Sequence, residues 1–172
     1  MRASYPSESA MYPEVARWLE NFLRARYPSS AVEAFPTPNE RLYRALARIG
    51  VPEHTLPAEW QSWDVQVDIV GLISNNHSTE IALVECKITP ITIAHLSQAI
   101  GYSRIVRPRW SFLVSPRGVR PNLSRLINAF NRQDILVYLE TPRQPPRTLI
   151  LARWDARAQQ IDWSSLIPAG AF

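Results

Sequence analysis

Apolar residues recur at helical spacing near the start of the chain and at strand spacing through its middle. Val15, Trp18, Leu19, Phe22 and Leu23 fall at i, i+3, i+4, i+7 and i+8. With Pro13 suited to a first turn and Pro28 as a stop, they predict a helix from Tyr12 to Arg26. Ala31 to Phe35 reads as a short strand closed by Pro36-Thr37-Pro38, after which Asn39 caps a second helix, Glu40 to Ile49, ended by Gly50. Residues 51–63 carry no period. Two strand-type runs follow, Val65 to Gly71 and Ile81 to Lys87. The polar turn formers Ser74-Asn75-Asn76-His77-Ser78 between them predict a β-hairpin. The pattern then gives a helix over 92–107, a strand over 110–115, a helix from the cap Asn122 to Arg132 and a strand from Asp134 to Leu139. A breaker, Pro142 to Arg147, leads to a final edge strand, Thr148 to Trp154. This order predicts an α/β fold, one central mixed β-sheet flanked by helices, in a single domain spanning 1–172.

The hairpin carries the chemistry. Period-2 geometry puts Glu85 and Lys87 on one face of their strand, so two charges point the same way from a segment that otherwise reads as core. A turn centred between Asn76 and His77 sets Asp68 directly opposite Glu85. Opposed residues have Cβ atoms roughly 4.5–5.5 Å apart, where like charges repel and need a cation. Lys87 supplies part of the compensation, and the paired carboxylates form an oxygen-rich site suited to Mg²⁺ or Mn²⁺. Asp64 shares the strand face of Asp68 but projects about 13 Å away at ~3.3 Å per residue, too far for the same ion.

Composition singles out the same spot. Of the 19 basic residues 18 are arginine, and Lys87 is the lone lysine. Arginine is permanently charged and forked, whereas lysine is a compact point charge able to approach a phosphate and a water together. Residues 1–100 hold 8 basic and 11 acidic residues, while residues 101–172 hold 11 and 4, so the positive charge lies in the C-terminal part and suits a polyanionic partner. A single cysteine excludes an internal disulfide and a multi-cysteine zinc site. Cys86, between Glu85 and Lys87, faces away from them as a small buried hydrophobe. No run approaches a membrane span, and the N-terminus lacks an apolar leader, which places the protein in the cytoplasm and away from membranes. Five glycines leave no Gly-rich phosphate loop.

Two further groups qualify. Glu14, in the first turn of the first helix, either favours the helix dipole or tilts over the hairpin end as a third carboxylate. His95, Gln98 and Tyr102 line one face of the helix after the Glu85 strand, within reach of a phosphate, a water or a base.

Asp68 in Val-Asp-Ile-Val-Gly, Glu85 and Lys87 in Val-Glu-Cys-Lys, and Gln98 in Ser-Gln-Ala-Ile-Gly-Tyr resemble the motif of the PD-(D/E)XK nuclease superfamily, which has the restriction-endonuclease-like fold. Val67 stands where many members carry a proline, and Glu14 where many carry a helix-1 glutamate. The resemblance implies a metal-dependent DNA endonuclease hydrolysing phosphodiester bonds. In it Asp68, Glu85 and the backbone carbonyl of Cys86 hold Mg²⁺ or Mn²⁺, and Lys87 orients or deprotonates the attacking water. Glu14 serves a second ion or its water shell, and Gln98 positions Lys87 or the phosphate. Arg104, Arg107, Arg109, Arg117 and Arg120, with Tyr102, bind DNA, and a homodimer is one way of cutting both strands. Two other readings stand beside it: a catalytically inactive nucleic-acid-binding or assembly subunit of the same fold, and a small α/β protein stabilised by an Asp-Glu-Lys ion cluster.

Overall fold

A computed structural model describes residues 5–171. Residues 1–4, which open the segment read above as lacking an apolar leader, lie outside the described residues. Helix α1 (Tyr12–Arg26) has the bounds its apolar spacing predicts, with Pro13 in the first turn and Val15, Trp18, Leu19, Phe22 and Leu23 buried. Strands β1 (Ala31–Pro36), β2 (Ile69–Ser74), β3 (Thr79–Cys86) and β4 (Trp110–Ser115) follow, with helix α2 (Leu42–Ile49) between β1 and β2 and helix α3 (Ile93–Val106) between β3 and β4. After helix α4 (Pro121–Asn128) come β5 (Val137–Thr141), β6 (Gln144–Thr148), β7 (Ile150–Asp155) and β8 (Gln160–Ile167).

Six strands form one mixed sheet in the order β1-β2-β3-β4-β7-β8, and β5 and β6 pair separately. β3, β4 and β7 run parallel, and the outer neighbours are antiparallel. Parallel neighbours need crossovers, and α3 provides the first. Helices cover both faces. On one, Ala82, Val84, Cys86, Phe112 and Val114 pack with the stripe of α1. On the other, Val70, Leu72, Ile81 and Leu83 meet α2 and the Trp60/Trp63 crossing, while Leu113 and Leu151 meet residues of α3 and α4. Gly71 sets how closely α1 approaches: a Cβ there would lie 2.8 Å from Leu23 Cδ1 and 2.9 Å from Leu19 Cδ2. Among the described residues no helix is long and apolar enough to cross a membrane.

The C-terminal part departs from the sequence pattern. Thr148 to Trp154 was expected to be the final edge strand, but β7 lies between β4 and β8, and β8 is the edge. β8 buries only Ile161 and Ile167, so no alternation marks it. Pro142 to Arg147, expected as a breaker, contains most of β6; prolines are tolerated there because β6 has a neighbour on one side only. A 3-10 turn over Gln133–Leu136 replaces the first half of the strand expected at 134–139, and α4 stops at Asn128 instead of Arg132. α2 begins at Leu42 instead of Glu40, because Asn39 takes a left-handed conformation, φ 60°, and Arg41 pairs with Gln66.

Candidate functional site

The β2–β3 register runs from Ser74 opposite Thr79 to Ile69 opposite Val84. That offset is the one the turn position predicts, but β2 begins at Ile69 and the expected strand over 65–71 loses its first half: Asp68 is a bend just before the strand, one position beyond the last ladder pair, and reaches β3 through its side chain. Both carboxylates lie at the end of the hairpin, at the C-terminal end of β3. Asp68 is held from two directions: its Oδ2 accepts the Cys86 N–H at 2.7 Å, and its Oδ1 accepts the Tyr12 hydroxyl at 2.6 Å. The first bond ties it to β3 and the second to α1.

Glu85 is 5% exposed. Its Oε2 lies 3.6 Å from Lys87 Nζ, and its Oε1 is buried with no hydrogen-bond partner. An orphaned buried carboxylate oxygen is costly and calls for a ligand or a proton. Burial, reinforced by the neighbouring Asp68 charge, pushes the Glu85 carboxyl up to about 8, with Lys87 opposing. Burial alone would lower the Lys87 amine, but Glu85, Asp68 and Glu8 outweigh it and hold it above its ordinary value. Lys87 Nζ lies 3.5 Å from Glu8 Oε2 as well, so one amine stands between two carboxylates. Complete burial pushes the Cys86 thiol well up, in keeping with its place in the α1 layer and against a nucleophilic role.

The donor chemistry suits a hard divalent ion that keeps part of its water shell: one carboxylate just before β2 and one on β3, the latter with an unpartnered oxygen. Glu14 does not complete it. Its carboxylate accepts the Tyr5 hydroxyl, which in turn accepts Trp154 Nε1–H at 2.9 Å. Among the described residues no group of three or more His, Cys, Asp or Glu side chains is placed to hold a metal.

No family model matches this chain, and no curated protein and no solved structure matches it either. What the site can do therefore rests on its own geometry.

The other expected residues divide into two groups. Lys87 N–H donates to Val114 O at 2.9 Å and Arg120 N–H to Ile91 O at 3.0 Å, so Arg117 and Arg120, in the loop after β4, lie at the carboxylate end of the sheet. Arg109 N–H donates instead to Ile81 O at 2.7 Å. That is four residues back along β3 from Glu85, about 13 Å at ~3.3 Å per residue. Arg107 and Arg109, with Arg104 in the last turn of α3, thus mark the opposite end. Gln98 donates its amide to the Tyr102 hydroxyl at 3.0 Å, a pair within one helix. Asp64, expected to be remote, is exposed and pairs with Arg41 at 3.1 Å.

Three residues join the site unannounced. Glu8 sits in the turn-rich segment before α1 and carries no signal of its own. Tyr5 likewise precedes α1 and carries no signal, whereas Tyr12 was legible in part, because a buried tyrosine hydroxyl at the start of an apolar stripe requires a partner. Tyr12 finds Asp68, which with burial pushes its hydroxyl far up. His95 closes a capping box with Thr92 at the start of α3. Burial, with Lys87 and Arg120 nearby and Glu8 opposing, lowers its imidazole.

Proposed function

We propose that the chain is a metal-dependent DNA endonuclease of restriction-endonuclease-like fold, with Asp68, Glu85 and the Cys86 carbonyl as the holders of Mg²⁺ or Mn²⁺. The observation that carries the reading is the unpartnered, buried Glu85 Oε1 opposite Asp68, with Lys87 on the same strand face. The bound ion supplies Lewis-acid polarisation of a phosphoryl oxygen and a water of lowered pKa. Everything else falls to the chain. Asp68 enters preorganised, since both its oxygens are oriented by Cys86 N–H and Tyr12. Lys87, held as a cation by its carboxylate neighbours, steadies negative charge developing on the phosphate and orients water, which favours these roles over proton abstraction. Glu8 shares the ammonium with Glu85 and helps to fix its position. Arg117 and Arg120 stand at the same end of the sheet to hold flanking phosphates.

Incubation of supercoiled plasmid with the protein and Mg²⁺ tests the reading. Nicking by the wild type, lost in Lys87→Ala and Glu85→Gln proteins that melt as folded domains, is the expected result. Nicking at the wild-type rate by either variant would falsify the site assignment. DNA binding without nicking in Mg²⁺ or Mn²⁺ would make the chain a binding subunit.

A further inference from the structure

The far end of the sheet carries a second constellation. Arg107, Pro108, Arg109 and Trp110 join α3 to β4, and Arg107 takes a left-handed conformation, φ 54°. That turn is pinned from below. Arg147 Nη1 donates to Arg107 O at 3.1 Å and Pro108 O at 3.0 Å, and the buried Tyr138 hydroxyl donates to Pro108 O at 3.0 Å. Arg109 Nε donates to the Tyr27 hydroxyl at 3.0 Å, and Trp110 Nε1 donates to the same oxygen at 2.9 Å. Two exposed arginines are therefore presented on a rigid turn, which lowers the ordering cost of binding.

Beside the turn lies a groove of about 540 Å³. Its walls are apolar at Trp110, Pro145, Pro146 and Ile150 and cationic at Arg109 and Arg147, and none of the described residues lining it is acidic. Glu80 stands at the edge, 3.9 Å from Arg147 Nη2. Apolar surface for bases next to arginines for phosphates is the combination that holds unpaired strands.

We propose that the groove of Arg109, Trp110, Pro145, Pro146 and Arg147, with Arg107 beside it, is a second binding site that anchors an unpaired nucleic-acid strand away from the Asp68–Glu85 cleft. The inference takes from the proposed function only that nucleic acid is the substrate, and it gives Arg107 and Arg109 a role that their distance from Glu85 denies them at the cut. A strand engaging both ends must cover at least the ~13 Å between Ile81 and Glu85 along β3.

The test is fluorescence anisotropy of a labelled oligothymidylate of about 16 nucleotides, near the upper site size of small single-strand binders, titrated with wild-type protein in EDTA over a range of salt. Each phosphate contact to a single strand contributes about −0.7 to the slope of log K against log salt. The double variant Arg107→Gln/Arg109→Gln is expected to lose about 1.4 of that slope. Pro145→Glu, on an exposed strand, should weaken binding by adding a charge to the groove, and Glu80→Gln should tighten it. Unchanged slope in the double variant together with unchanged affinity in Pro145→Glu overturns the anchor, as does equally tight binding of a polyglutamate peptide. These readings need no cleavage: a wild type that binds through Arg107 and Arg109 but cuts nothing retains the anchor and loses the endonuclease.

Discussion

The two ends of the central sheet hold their charged groups in opposite settings. At the C-terminal end of β3, Asp68 is bonded to Tyr12 of α1, Glu85 is buried, and Lys87, 12% exposed, lies 3.6 Å from Glu85 and 3.5 Å from Glu8. At the other end Arg104, Arg107 and Arg109 are exposed, with the backbone of Arg107 and Pro108 held by Arg147 and the Arg109 Nε by the Tyr27 hydroxyl. Burial pushes the Glu85 carboxyl of the first group up, because desolvation raises the energy of an uncompensated charge, and this is what the proposed ion would relieve. Exposure leaves the second group permanently charged and screened by salt, suited to affinity more than to chemistry.

Breaking the buried end should have the largest effect. Lys87→Ala removes a preorganised charge from the phosphate and is expected to lower the cleavage rate about 10²–10³-fold, read in single-turnover assays at saturating protein. Arg104→Ala at the exposed end should leave that rate unchanged. Equal losses from the two substitutions would erase the distinction between the ends.

Stability against pH sharpens it further. Folded Glu85 ionises near 8, above its ordinary value of 4.5, so the native state holds a proton that the unfolded chain releases. Its contribution is fully present below pH 4.5 and is lost as pH rises through 8. Thermal melts in EDTA should therefore show the midpoint falling between pH 5 and 8.5 in the wild type and falling less in Glu85→Gln. Mg²⁺ should recover more stability at pH 8 than at pH 5, since the deprotonated carboxylate is the form that binds.

Smaller effects are expected from the support of Asp68 and from the exposed arginines. Tyr12→Phe deletes the 2.6 Å bond to Asp68 Oδ1 and should cost about 1–2 kcal/mol in chemical denaturation, with a weaker metal affinity alongside. Arg104→Ala should shift stability by less than about 0.5 kcal/mol.

The buried end was the more legible in sequence. The hairpin register followed from the turn residues and the alternation around them, because a one-residue slip would turn every core side chain to the other face. The lone lysine pointed to the same strand. Local pattern could not bring Glu8 to Lys87, or Tyr12 to Asp68 across 56 residues, since those meetings depend on where α1 lands on Gly71. It also could not separate five arginines into two groups. Arg109 and Arg117 lie eight positions apart in sequence, yet β4 runs between them and carries them to opposite ends. β6 and β8 escaped because prolines interrupt one and the other buries little.

The central claim is that Glu85 and Asp68 take up a divalent ion as Glu85 gives up its proton. Calorimetric titration of Mn²⁺ into the wild type at pH 7, in two buffers of different ionisation enthalpy, tests it most directly. Binding that releases close to one proton, about one per ion, and that vanishes in Glu85→Gln is the expected result. No binding, or binding of equal strength in Glu85→Gln, would contradict the account.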